Sequence, residues 1–91
     1  MSSSPSVTLT LMNGKGLHAR AAAKFVKTSE KFDAEVRVLR AGFDVSGRSI
    51  MGLMMLAARY GTEITVQATG SQASEALQAL SDLVSSKFGE E

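Results

Sequence analysis

A chain of 91 residues can bury one modest core with no room for a second, and ten basic against nine acidic residues leave a net charge of +1, too little for nucleic acid or an anionic membrane to be its main partner. Without cysteine there is no disulfide framework or thiolate chemistry, and a lone histidine cannot build an ordinary zinc site, so neither metal nor cofactor is expected. No apolar run is long enough for a membrane span, and MSSSPS is polar where a signal peptide would be basic and then apolar, so a cytoplasmic protein is expected.

Residues 1–5 read as a disordered lead-in to a single domain over residues 6–88, with residues 89–91 as a solvated end. Val7, Leu9 and Leu11 alternate with Thr8, Thr10 and Met12, the period of a strand with one buried face. The loop Asn13–Leu17 follows. A helix-forming run from Ala19 to Lys31 comes next, in which Ala22, Phe25, Val26 and Ser29 make a core-facing stripe. Ala34, Val36 and Val38 alternate as a second strand, and Arg40, Ala41 and Gly42 turn it into a third through Phe43 and Val45, which predicts a hairpin. Ser49 opens a second helix, SIMGLMMLAARYG, with Gly61 as its stop. Ile64, Val66 and Ala68 alternate as the fourth strand. The last helix carries an apolar stripe of Ala73, Ala76, Leu77, Leu80, Leu83, Val84 and Phe88. Each strand thus has one apolar face and each long helix one apolar stripe, which two layers satisfy: an α+β fold, β-α-β-β-α-β-α, with helices on one side of a sheet and water on the other.

The chemistry concentrates in GKGLHARAAAKFV. His18, the single histidine, stands where a glycine-flanked loop meets a helix start, and the first N–H groups of a helix lack intrahelical partners and carry the positive end of its dipole. A nucleophilic imidazole beside an anion site, with Arg20 two residues on, is what capture and release of a phosphoryl group needs. A loop histidine without a role is the alternative that position alone leaves open. Arg20, Lys24, Lys27 and Lys31 share one helix face, which a solvated basic surface also explains. On the second helix Leu53, Leu56 and Ala57 form one arc and Met51, Met54 and Met55 a neighbouring one, with Ile50 between. That coverage exceeds what so small a domain buries, and we read part of it as an exposed docking patch. Ser49 is first of all a helix N-cap.

GLHAR followed by SIMGLM identifies a resemblance over nearly the whole chain, from Val7 to about Phe88. The sequence resembles the HPr family, the histidine phosphocarriers of the bacterial phosphoenolpyruvate-dependent phosphotransferase system. The resemblance implies an open-faced β-sandwich whose four-stranded antiparallel sheet is covered by three helices on one face. It implies that the protein is a carrier rather than an enzyme, phosphorylated on His18 through Nδ1 by enzyme I and discharged to IIA domains, with Arg20 stabilising the phosphoryl group. It implies Ser49 as a regulatory site for HPr kinase/phosphorylase, and a partner-binding surface of Ile50, Met51 and Met54, to which Arg20, Ala23, Lys24 and Lys27 are added. A monomer is expected.

The chain departs from the family pattern in two ways. Ala21 stands where proline usually follows the arginine, which should loosen the helix start only slightly. NGKGLHARAAAKFV, FDAEV and ATG look like the nitrogen-related branch of the family, while SIMGLM looks like the kinase-regulated one. The alternative function is therefore a regulatory binding module, controlling partners in nitrogen or carbon regulation rather than sugar uptake. An RNA-binding domain using the Arg20–Lys31 stripe is a third reading, weakened by the low net charge and by having only Tyr60 and four phenylalanines for stacking.

Overall fold

The computed structural model describes residues 5–90. Its elements in chain order are β1 (Ser6–Thr10), α1 (Ala19–Ser29), β2 (Glu35–Arg40), β3 (Phe43–Ser46), α2 (Ile50–Met55), β4 (Glu63–Thr69), α3 (Ala73–Ser85) and a short 3₁₀ turn (Lys87–Gly89). The expected lead-in lies outside the described residues except for Pro5, whose carbonyl accepts from the Ala68 N–H at 3.1 Å.

The strands form one antiparallel sheet in the order β1-β4-β2-β3. Alternation decides its register: Val7 faces Val66, Leu9 faces Ile64, Val36 faces Ala68, and Val38 is paired with both Val66 and Val45, which gathers the apolar residues on one face. Helix α3 packs on β1, β4 and β2, while α1 packs on α2 and α3, and α2 closes the β3 side. Phe25, Leu53, Leu56, Leu80, Val84 and Phe88 fill the space between the layers and are all buried. The fold is the expected α+β open-faced sandwich. Ala41 and Gly42 both have positive φ, 50° and 86°, as a two-residue hairpin turn requires if its twist is to match that of the strands.

Three boundaries differ from expectation. Helix α1 stops at Ser29, so Lys31 lies beyond the helix that carries the other basic residues. Helix α2 ends at Met55 rather than near Gly61. Tertiary pairing pulls the chain out of the helix there: Ala57 turns left-handed at φ 53°, the Ala58 carbonyl accepts from the Leu17 N–H at 2.9 Å, and the Gly61 N–H donates to the Leu11 carbonyl at 2.7 Å. In consequence Ala57 is exposed and Ala58 takes the buried place in the arc. The last helix stops at Ser85, and Phe88 reaches the core through a left-handed turn, with Lys87 at φ 60° and Phe88 at φ 57°.

Candidate functional site

Two constraints fix the loop before α1. Gly16 has φ 63°, and a Cβ there would lie 2.3 Å from the Ala58 carbonyl oxygen and 2.7 Å from the Arg59 Cα, so only glycine lets the loop lie against that backbone. Asn13 is fully buried and donates from Nδ2 to the Gly16 carbonyl at 2.8 Å. The loop therefore lies backbone to backbone against the α2-to-β4 segment, and His18 leaves it in an extended conformation as the N-cap of α1 (φ −76°, ψ 177°).

The His18 side chain is 26% exposed and makes no capping bond to its own helix. Its Nε2 lies 2.5 Å from Oε2 of Glu90, and Oε1 of the same carboxylate accepts from Asn13 Nδ2 at 3.1 Å. A carboxylate can only accept, so Nε2 carries a proton, and in the neutral ring the lone pair is then on Nδ1. Nδ1 has no protein partner among the described residues, and Asn13 Oδ1 is the one buried unpartnered side-chain polar atom there, so Nδ1 meets solvent. The amide of Asn13 above all, then His18 and Lys24, hold the Glu90 carboxyl below its ordinary value of 4.5 against the opposing effect of burial.

Glu90 is a correction to the sequence reading. It was expected in a solvated end, yet its side chain is 18% exposed and meets His18 and Asn13. Lys24 holds the backbone two residues before it by donating from Nζ to the Phe88 carbonyl at 2.5 Å. His18, Arg20, Lys24 and Lys15 line an open cleft of about 470 Å³ together with Gly14, Gly89 and Glu90. Its carboxylate, Glu90, shares the lining with three cationic side chains, Lys15, Arg20 and Lys24. Arg20 is exposed and forms no ion pair with a described residue. The first intrahelical bond of α1 runs from Ala22 N–H to His18 C=O at 2.8 Å, which leaves the N–H groups of Ala19, Arg20 and Ala21 without helical partners. The arrangement can hold an anion beside a ring nitrogen that is free to attack.

The other expected residues lie outside the cleft lining. Ala23 is half-buried on α1 and Lys27 is exposed. Ser49 caps α2, its Oγ accepting from the Gly52 N–H at 2.9 Å. Beyond it Ile50, Met51, Met54 and Met55 stand exposed, Met51 at 71%, while Leu53 and Leu56 are buried, so the apolar excess of α2 does lie at the surface. Asn13 and Glu90 were missed by sequence reasoning. Asn13 before glycine reads as an ordinary turn residue, and nothing local marks a glutamate that meets its partner across 72 positions.

Comparison with known proteins gives the family. A family model described as PTS HPr component phosphorylation site matches residues 5–86. A phosphocarrier protein HPr of Neisseria meningitidis is 47% identical over 83 residues, covering 91% of this chain and 93% of that protein. One from Pseudomonas aeruginosa is 46% identical over 87 residues, covering 94% and 97%. Among solved structures, HPr-C-His from Thermoanaerobacter tengcongensis superposes with a TM-score of 0.91 at 44% identity, covering 96% of this chain and 98% of that one.

Proposed function

Because the chain belongs to the HPr family, the phosphocarrier proteins of the phosphotransferase system, we propose that His18 carries the phosphoryl group, taking it from phospho-enzyme I and yielding it to a IIA domain. The observation that carries the reading is the ring itself: Nε2 is tied to Glu90 while Nδ1 meets solvent, in a cleft also lined by Arg20, which forms no ion pair with a described residue. In the transfer the Nδ1 lone pair attacks phosphorus, the P–N bond of the donor breaks, and the donor nitrogen keeps that electron pair. Discharge is the same step reversed onto the acceptor. Arg20 and the free N–H groups at the start of α1 supply donors for the phosphoryl oxygens. The protein itself is a carrier rather than a catalyst.

Docking in this reading uses the exposed face of Ile50, Met51 and Met54 with Ala23 and the basic residues Arg20, Lys24 and Lys27 beside it. Phosphorylation of Ser49 by HPr kinase/phosphorylase would put a charge near −2 at the edge of that face and oppose partners that bury it. That same surface favours the second reading, a regulatory module whose phosphorylation state chooses its partner. In this reading the protein works as a monomer in the cytoplasm with the rest of the system, and its working domain extends past Phe88 to Glu90, whose carboxylate meets His18 and Asn13. Among the described residues no helix is long and apolar enough to cross a membrane.

The test is a two-stage transfer. Protein charged with phosphoenolpyruvate and enzyme I is freed of both and mixed with a IIA domain. The phosphoryl group is expected to move to the IIA domain, and retention or hydrolysis in its presence would contradict the carrier cycle.

A further inference from the structure

We propose that Glu90 is a positioning residue for His18: its carboxylate accepts the Nε2 proton, keeps the ring in the tautomer whose Nδ1 can attack, and balances the positive charge the ring gains as phosphorus binds. The inference rests on His18 being the residue that carries the phosphoryl group.

The carboxylate is placed from three sides. One oxygen meets His18 and the other meets Asn13, which is itself buried and tied by its second amide hydrogen to the Gly16 carbonyl. The backbone that delivers it is locked by the core: Phe88 is 1% exposed, and its carbonyl is held by Lys24. Reaching that position takes three consecutive left-handed residues, Lys87, Phe88 and Gly89, a conformation that is sterically unfavourable for the two that are not glycine. The Glu90 carboxyl also stays ionised at neutral pH, since its neighbours lower rather than raise its pKa.

The chemistry needs such a group. Attack by Nδ1 while Nε2 keeps its proton leaves a cationic ring bearing the phosphoryl group. No proton has to leave during the step, and a fixed carboxylate on Nε2–H strengthens its hydrogen bond as that charge develops. When the P–N bond breaks on discharge, the electron pair returns to Nδ1 and the ring is neutral again, its Nε2–H never having moved.

Loss of the buried aspartate behind a serine-protease histidine costs about 10⁴-fold in rate. Glu90 is partly solvated, and water can replace it in part, so Glu90→Ala is expected to lower the maximal rate of His18 phosphorylation by about tenfold. The second readout is the ring itself: with one histidine in the chain, its two ¹⁵N signals report the tautomer without ambiguity. In the unaltered protein the neutral ring should be dominated by Nε2–H. Glu90→Ala should raise the share of Nδ1–H, and Glu90→Gln, with an acceptor oxygen and no charge, should fall between in rate. The proposal is overturned if Glu90→Ala leaves both tautomer and maximal rate unchanged, or if it alters only the concentration of carrier that half-saturates enzyme I. Absence of phosphoryl on His18 in the unaltered protein would instead refute the carrier reading, and the tautomer measurement would still decide whether Glu90 orients the ring.

Discussion

Gly16→Ala is the substitution that most directly asks whether the loop geometry places His18. The added Cβ would lie 2.3 Å from the Ala58 carbonyl oxygen and 2.7 Å from the Arg59 Cα, both backbone atoms, so no side chain can swing aside to make room. Alanine at φ 63° adds a left-handed penalty of about 1 kcal/mol. Separating the loop from residues 58 and 59 endangers the Leu17 N–H to Ala58 carbonyl bond, 2.9 Å long, whose net value is about 1 kcal/mol. With some overlap strain left over, a loss of about 2–4 kcal/mol is expected, against a total stability for such a domain of about 5–15 kcal/mol. Urea unfolding measures it directly, and the melting temperature should fall by at least about 8 °C. Because Asn13 holds both Gly16 and Glu90, the shift should reach His18 as well and slow its phosphorylation in protein that remains folded. A stability loss under about 1 kcal/mol with an unchanged His18 ring spectrum would refute the claim that the loop is wedged against that backbone.

Three further outcomes follow from local geometry. Ser49→Ala removes the oxygen that accepts from Gly52 and should cost about 1 kcal/mol in urea unfolding with transfer preserved, whereas Ser49→Asp should weaken enzyme I association in a binding titration at nearly unchanged melting temperature. Ala41→Asn should stabilise the domain by about 0.5–1 kcal/mol, since Ala41 sits at φ 50° beside Gly42 in the hairpin and Asn-Gly is the pair such a turn prefers. Glu90 is held below 4.5 when folded, so its stabilisation is complete above that value and is lost as pH falls through the lower folded value. Stability curves of the unaltered protein and of Glu90→Gln should therefore converge on acidification from about pH 5 downward, and parallel curves would deny the contact any share in folding.

What the sequence made legible was whatever repeats at a fixed period. Val7, Leu9, Val36, Val38, Ile64 and Val66 announce their strands and their common face by alternation, and the stripes of α1 and α3 announce the layer that covers them. Periodicity failed where distant pairing overrides local preference. Residues 56–60 read as helix, yet the Ala58 carbonyl is claimed by Leu17 and the helix gives way at Met55. Phe88 fits the period of the α3 stripe and is buried as expected, but by a left-handed turn that no periodicity encodes. The same turn explains why half of the candidate site was hidden. His18 and Arg20 were readable from their place at a helix start. Asn13 and Glu90 acquire meaning only when positions 77 apart in the chain are brought together.

The central claim is that His18 bears the phosphoryl group. Its most direct measurement is mass spectrometry of protein incubated with phosphoenolpyruvate and enzyme I, kept above acid pH so that a phosphoramidate survives, beside His18→Ala treated in the same way. We expect one phosphoryl group, on the peptide containing His18, and none on His18→Ala, which should remain folded because the ring is partly exposed and contributes little to the core. Labelling that persists in His18→Ala, or that maps to another residue, would contradict the account.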